Sequence, residues 1–257
     1  MKKFLVAIDQ GTTSSRAILF SLSGKPIYTS QKEFTQYFPK NGWVEHNPNE
    51  IWNTTRKVLT DVIARSKKLK GKILTIGITN QRETTVLWDN KTGKPVYRAI
   101  VWQDRRQEDF CKKLRKQNKD TMIFNKTGLL IDSYFSGTKI KWILDIVPKA
   151  KQLMNKKHLL FGTIDSFLIW KLTKGKVHAT DATNASRTMI YNISTNKWDD
   201  TILKLLKIKK HILPEVRDCA DDYGQTHSSI TGKSIPCLLY TSPNPRDRSL
   251  SRMPSSA

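Results

Sequence analysis

The chain has 257 residues and carries 45 Lys and Arg against 22 Asp and Glu, a formal net charge of +23. At 38% hydrophobic and 9% aromatic it has a globular composition, which argues against disorder, and no apolar run approaches the ~20 residues of a membrane span. Three cysteines without CxxC spacing and five scattered histidines argue against a disulfide framework or a Cys/His zinc centre, and a reduced, cytoplasmic chain is expected.

Residues 4–8, Phe-Leu-Val-Ala-Ile, stop at Asp9, too early for a secretory segment, and predict a first strand buried on both faces. Polar residues 9–15 follow, then a second strand at 16–20, a turn at Ser23-Gly24-Lys25-Pro26 and a third strand starting at Ile27. Asn47-Pro48-Asn49-Glu50 announces a helix, with Asn as cap, Pro in the first turn and Glu three residues after the cap. Its apolar stripe is Ile51, Val58, Leu59, Val62 and Ile63.

The pattern then recurs: a strand at 74–78, a polar loop at 80–83, a strand at 84–88, and Gly93-Lys94-Pro95-Val96-Tyr97 in place of Gly24-Lys25-Pro26-Ile27-Tyr28, again turning into a strand. Helices are expected from about Arg105, at 138–147, near 159–172 and at 199–207. These elements together predict an α/β domain with a mixed sheet flanked by helices.

From Cys237 the composition changes. Residues 237–257 hold three prolines, five serines, three arginines and no lysine. The domain is therefore expected to span 1–236. The segment 237–257 is expected to be a disordered tail or, as the abrupt loss of Lys favours, sequence foreign to the protein.

Two loops could carry chemistry. Asp9-Gln10-Gly11-Thr12-Thr13-Ser14 joins two strands. Its glycine would let the backbone approach a ligand, Thr12, Thr13 and Ser14 could donate to phosphate oxygens, Asp9 could hold hydrated Mg2+, and Arg16 could neutralise phosphate charge. It is not a Walker loop, because GxxxxGK[ST] is absent and a strand follows. An ordinary hydroxyl-rich turn is the other reading. In Asn80-Gln81-Arg82-Glu83, adjacent opposite charges at a strand end suit neighbouring hydroxyls of a small polyol, or else form a solvated ion pair. Trp102, in Trp102-Gln103-Asp104-Arg105-Arg106, and Tyr134 could join the same site or be packed aromatics.

Taken in order, DQGTTSSRA (9–17), GWVEHNP (42–48), GITNQRETT (77–85), AIVWQDRR (99–106), TGLLIDSYFSGTKIKWILD (127–145), LLFGTIDSFLIWKLT (159–173) and TNASRTMIYNI (183–193) resemble the FGGY carbohydrate kinases. The NQRETT and VWQ-RR segments resemble the glycerol kinases of that family. The resemblance covers residues 3–236. It implies an actin/hexokinase-like (ribonuclease H-like) fold with a second domain missing here, and ATP-dependent phosphorylation of glycerol to sn-glycerol 3-phosphate. It also implies Mg2+ at Asp9, ATP or ADP phosphates at Thr12, Thr13, Ser14 and Arg16, glycerol hydroxyls at Arg82, Glu83 and Tyr134, and Trp102 against the glycerol carbons. A homo-oligomeric full-length parent is expected.

The aspartate base of the family follows the position of Pro236 in a Gly-Asp-Gln segment that this sequence lacks. No catalytic residue is therefore expected in this chain, which should be close to inactive alone. A non-catalytic glycerol- or phosphate-binding role and a basic nucleic-acid-binding role are the alternatives. The 32 lysines, spread along the chain with no nucleic-acid motif, speak against the second.

Overall fold

The computed structural model describes residues 1–239. Its first strands are β1 (Lys2–Gln10), β2 (Ser14–Ser21) and β3 (Pro26–Glu33), followed by the short β4 (Gln36–Tyr37) and β5 (Glu45–His46) and the long helix α1 (Pro48–Lys68). Next come β6 (Gly71–Asn80), β7 (Val86–Asp89) and β8 (Ala99–Ile100), then helices α2 (Glu108–Lys116), α3 (Asp120–Thr127), α4 (Ser136–Ile146) and α5 (Pro148–Asn155). The remainder is β9 (Leu159–Gly162), α6 (Ile164–Leu172), β10 (Ala179–Asp181), α7 (Ala182–Ala185), β11 (Tyr191–Asn192), β12 (Lys197–Trp198), α8 (Asp200–Leu206), β13 (Glu215–Arg217), α9 (Ser228–Thr231) and β14 (Cys237–Leu239).

The principal sheet is mixed, in the order β14-β6-β1-β2-β3. β1 is antiparallel to β2 and parallel to β6, so α1 is the crossover that returns the chain from the antiparallel edge to the centre. Asn47 caps α1 as its sequence predicts, accepting from the Asn49 N–H at 3.0 Å. Glu50 does not complete a capping box. Its carboxylate accepts from the Thr35 N–H at 3.1 Å and the Tyr37 hydroxyl at 2.6 Å, which pins the strand after β3 to the helix start.

Two apolar cores result. One lies between α1, the inner face of the sheet and α6; the other gathers α2–α5, α8 and β9.

Four features depart from the sequence reading. β1 is buried on one face only: Phe4, Val6, Ile8 and Gln10 are inside, whereas Leu5 and Ala7 line an open apolar depression of about 440 Å³ with Phe20, Gly77 and Leu238. The repeated strand–loop–strand motif is not a second hairpin, because β7 leaves β6 and pairs antiparallel with β9. Residue Glu83 turns the chain away at φ 61°, a left-handed conformation. Residues 95–97 make only an isolated bridge, Trp88 to Pro95, before the short β8.

The apolar stretch 159–172 is a strand and then a helix, split at Gly162-Thr163, a break that hydrophobicity alone does not mark. At the other end, Cys237–Leu239 add β14 in parallel register with Ile76–Ile78, so ordered pairing crosses the compositional change after Pro236. Residues 240–257 lie outside the described residues.

Replacing Asn47 by Ala should lower unfolding free energy by about 1 kcal/mol in urea denaturation; an unchanged midpoint would contradict the cap.

Candidate polyol and phosphate site

The β1–β2 hairpin turns over Gly11–Thr13, closed by the Gly11 N–H to the Ser14 carbonyl at 2.9 Å. Asp9 and Arg16 are cross-strand partners and form an ion pair of 2.7 Å at the rim. The Gln36 amide holds the Thr12 carbonyl at 3.0 Å and the Gln31 amide donates to Ser14 Oγ at 3.1 Å. Thr13 is exposed. A Cβ added at Gly11 would sit 3.4 Å from the Ser14 carbonyl, ordinary van der Waals contact, and the residue is not left-handed. The folded chain therefore does not itself require glycine there.

Beside this hairpin lies the end of β6. The register pairs Gln10 with Asn80, and the Gln81 N–H continues the ladder to the Gln10 carbonyl at 2.7 Å. The buried Gln81 amide donates to Gln10 Oε1 and the Gly11 carbonyl, each at 3.1 Å, and approaches His46 Nδ1 at 3.3 Å. His46 Nε2 meets Gln36 Oε1 at 2.5 Å. Burial drives the His46 pKa down to about 4, so the ring is neutral and bridges the two loops as donor and acceptor.

Arg82 and Glu83 are not paired with each other. Glu83 is 3% exposed and turns inward to Arg187, whose Nε donates to Glu83 Oε1 at 2.7 Å. Burial pushes the Glu83 carboxyl above its ordinary pKa, opposed by Arg187, Lys139 and Arg82. The left-handed backbone at Glu83 costs on the order of 1 kcal/mol; the Ser136 hydroxyl holds its carbonyl at 3.0 Å. Arg82 is half-buried; its carbonyl accepts from the Thr84 N–H at 2.7 Å, and its guanidinium makes no hydrogen bond or ion pair among the described residues.

Trp102 is not core. Half-exposed, it donates its indole N–H to Thr12 Oγ1 at 3.1 Å and meets the Tyr134 ring edge-on, centroids 5.6 Å apart. The charges after Trp102 face elsewhere. Arg106, its side chain 1% exposed, bonds Asp104 and Glu45 at 2.8 and 2.9 Å and packs against the rings of Trp43 and Trp142, 3.8 and 4.6 Å from their centroids. This clamp ties the loop at 42–46 to β8 and fixes where Trp102 emerges.

The structure thus brings Thr12, Trp102, Tyr134 and Glu83 into a continuous run of contacts, through Arg187, whose guanidinium faces the Tyr134 ring at 5.6 Å. Asp9, Ser14 and Arg16 lie on the adjoining hairpin. Arg187 and the buried Lys139 escape sequence reasoning, since they stand in helical segments with nothing local to mark them. Lys139 donates to the Tyr134 carbonyl, and burial lowers its pKa to about 7.

The model of the FGGY family of carbohydrate kinases, N-terminal domain, matches residues 4–236. The chain belongs to that family. Curated relatives include the glycerol kinases of Petrotoga mobilis, 56% identical over 236 residues, and Alkaliphilus oremlandii, 59% over 237; in each case the match covers 92% of this chain and 47% of the relative. The chain therefore spans about half the length of the curated relatives it matches. Among solved structures, Plasmodium falciparum glycerol kinase with ADP superposes with a TM-score of 0.88 at 34% identity, covering 93% of this chain and 48% of that one. Gluconate kinase from Lactobacillus acidophilus, 23% identical with a TM-score of 0.81, shares the fold. The mixed sheet is thus that of the actin/hexokinase-like sugar kinases. No helix among the described residues is long and apolar enough to cross a membrane.

His46 and His178 are both held near pKa 4 by burial, below the ordinary 6.5. Their contribution is complete above pH 6.5 and is lost as pH falls towards 4, up to roughly 3 kcal/mol for each. Asp165, raised to about 6 by burial and by Asp181, works in the opposite sense, adding stability as pH falls through 6. His46→Gln should therefore flatten the loss of stability between pH 6.5 and 4 in thermal melts. A slope equal to wild type would contradict the assignment.

Proposed function

We propose that the chain supplies the polyol site and the phosphate hairpin of a cytoplasmic ATP-dependent kinase that converts glycerol to sn-glycerol 3-phosphate. The observation that carries this reading is the Trp102–Thr12 hydrogen bond of 3.1 Å. It sets the aromatic wall of a small polar site one contact from a hairpin of hydroxyls and amides, the adjacency of two sites that phosphoryl transfer between bound substrates calls for.

In this reading Arg82 donates to glycerol hydroxyls and Glu83 accepts from them, while Tyr134 adds its phenol and Trp102 packs on the carbons. The phosphates of ATP lie against Thr12, Thr13, Ser14 and Arg16. Asp9 would hold Mg2+ through water. Its half-exposed carboxylate at the strand end, with one oxygen on Arg16, fits such a site. The ion would supply charge neutralisation at the phosphates.

Catalysis then rests on orientation and on cationic groups placed before the reaction. We assign no base within the matched segment 4–236; the carboxylate that takes the proton of the attacking hydroxyl is proposed to come from outside it. Homo-oligomerisation of the longer protein is part of the same proposal.

Isothermal titration of the 257-residue chain with glycerol should show saturable binding, weakened at least about tenfold in Arg82→Ala, the effect of losing a charged hydrogen bond. Equal affinity in wild type and variant would refute the polyol assignment. Gly11→Ala should leave the melting temperature within about 2 °C while weakening nucleotide binding, because the strain would arise only against a ligand. Unimpaired nucleotide binding would overturn the phosphate assignment.

A further inference from the structure

We propose that Arg187 is the positioning residue of the polyol site, engaging Oε1 of Glu83 and so orienting the carboxylate to accept a substrate hydroxyl at Oε2 beside the Tyr134 ring. The inference rests on the reading of Glu83 as a glycerol ligand.

Arg187 belongs to the turn after α7, more than a hundred residues from Glu83 in sequence, yet its Nε meets Glu83 Oε1 at 2.7 Å. Its guanidinium also faces two rings, Tyr134 at 5.6 Å and Phe135 at 5.0 Å. One side chain therefore fixes the carboxylate and braces the phenol. Through Nε it offers Glu83 a single donor, and no described residue hydrogen-bonds Oε2. A carboxylate held through one oxygen is fixed in orientation, and its other oxygen keeps its full acceptor capacity for a ligand.

The buried position makes this pairing consequential. A carboxyl 3% exposed without a hydrogen-bonded cation would take up a proton and could then donate where the substrate hydroxyl also needs to donate. The titratable groups facing Glu83 are Arg82 from its own loop, Lys139 from α4 and the Tyr134 phenol. The Lys139 ammonium is hydrogen-bonded to the Tyr134 carbonyl and the Arg82 guanidinium makes no hydrogen bond to Glu83, so among the described residues Arg187 alone combines charge with a hydrogen bond to the carboxylate. Even so, burial keeps the Glu83 pKa above its ordinary value, which leaves little margin if the guanidinium is removed.

The test is a carbon-13 NMR titration of the chain labelled at glutamate carboxyls, with Glu83 assigned by the signal lost in Glu83→Gln. In Arg187→Gln the Glu83 midpoint should rise by at least about one pH unit, with Arg187→Lys between the variant and wild type. Glycerol affinity of Arg187→Gln should fall about tenfold at pH 6 and recover partly by pH 8, as Glu83 ionises. A residue serving only to hold the fold would lower affinity equally at both pH values.

An unchanged Glu83 midpoint in both Arg187 variants overturns the inference. Undiminished glycerol affinity in Glu83→Gln overturns the reading beneath it instead, and the carboxyl titration, which needs no ligand, separates the two. Should Arg187→Gln not fold by circular dichroism, the Lys variant carries the same test, with a midpoint equal to wild type counting against the proposal.

Discussion

Everything at the candidate site depends on the register between β1 and β6. Pairing Gln10 with Asn80 ends both strands at the same level, so the loops that follow them leave the sheet side by side. Gln81 then locks one loop to the other, through its backbone N–H to the Gln10 carbonyl and its side-chain amide to the Gly11 carbonyl. A slip of one residue would turn Gln81 to the opposite face and separate the hairpin hydroxyls from Glu83. Parallel neighbours of this kind commonly place ligands at their carboxyl ends, where loops diverge.

The loops remain fixed because their polar contacts are buried and satisfied. Gln10, Gln81, Thr84 and His46 are all inside, and the neutral His46 ring joins Gln81 to Gln36, which in turn holds the Thr12 carbonyl. Arg106 plays the comparable part on the other wall. Packed against Trp43 and Trp142 and bonded to Asp104 and Glu45, it is a buried cation with two carboxylate partners, so removing it would leave the buried Asp104 without its cation, at roughly 3–5 kcal/mol, while Glu45 keeps Arg98 at 3.8 Å.

Much of this was legible in the sequence where the signal was local. The cap at Asn47, the strands of the first hairpin and the helices at 136–146 and 200–206 follow from side-chain types and spacing. The motif residues Thr12, Glu83, Trp102 and Tyr134, quoted from separate segments, meet in space. What stayed hidden depends on distant partners. Nothing around Arg187 announces that it pairs with Glu83, and nothing around Val86–Asp89 announces a partner in Leu159–Gly162 rather than β6. Hydrophobicity likewise could not tell that β1 buries one face and leaves Leu5 and Ala7 half-open.

On the proposed reading one surface, running from the hairpin across Trp102 to Glu83, holds glycerol next to phosphate. A crystal structure of the chain grown with glycerol and ADP tests it most directly. Glycerol is expected between Trp102, Tyr134, Arg82 and Glu83, with phosphate oxygens on the Gly11–Ser14 turn. Both ligands bound with glycerol away from Trp102 and Glu83, or with phosphate away from the hairpin, would contradict it.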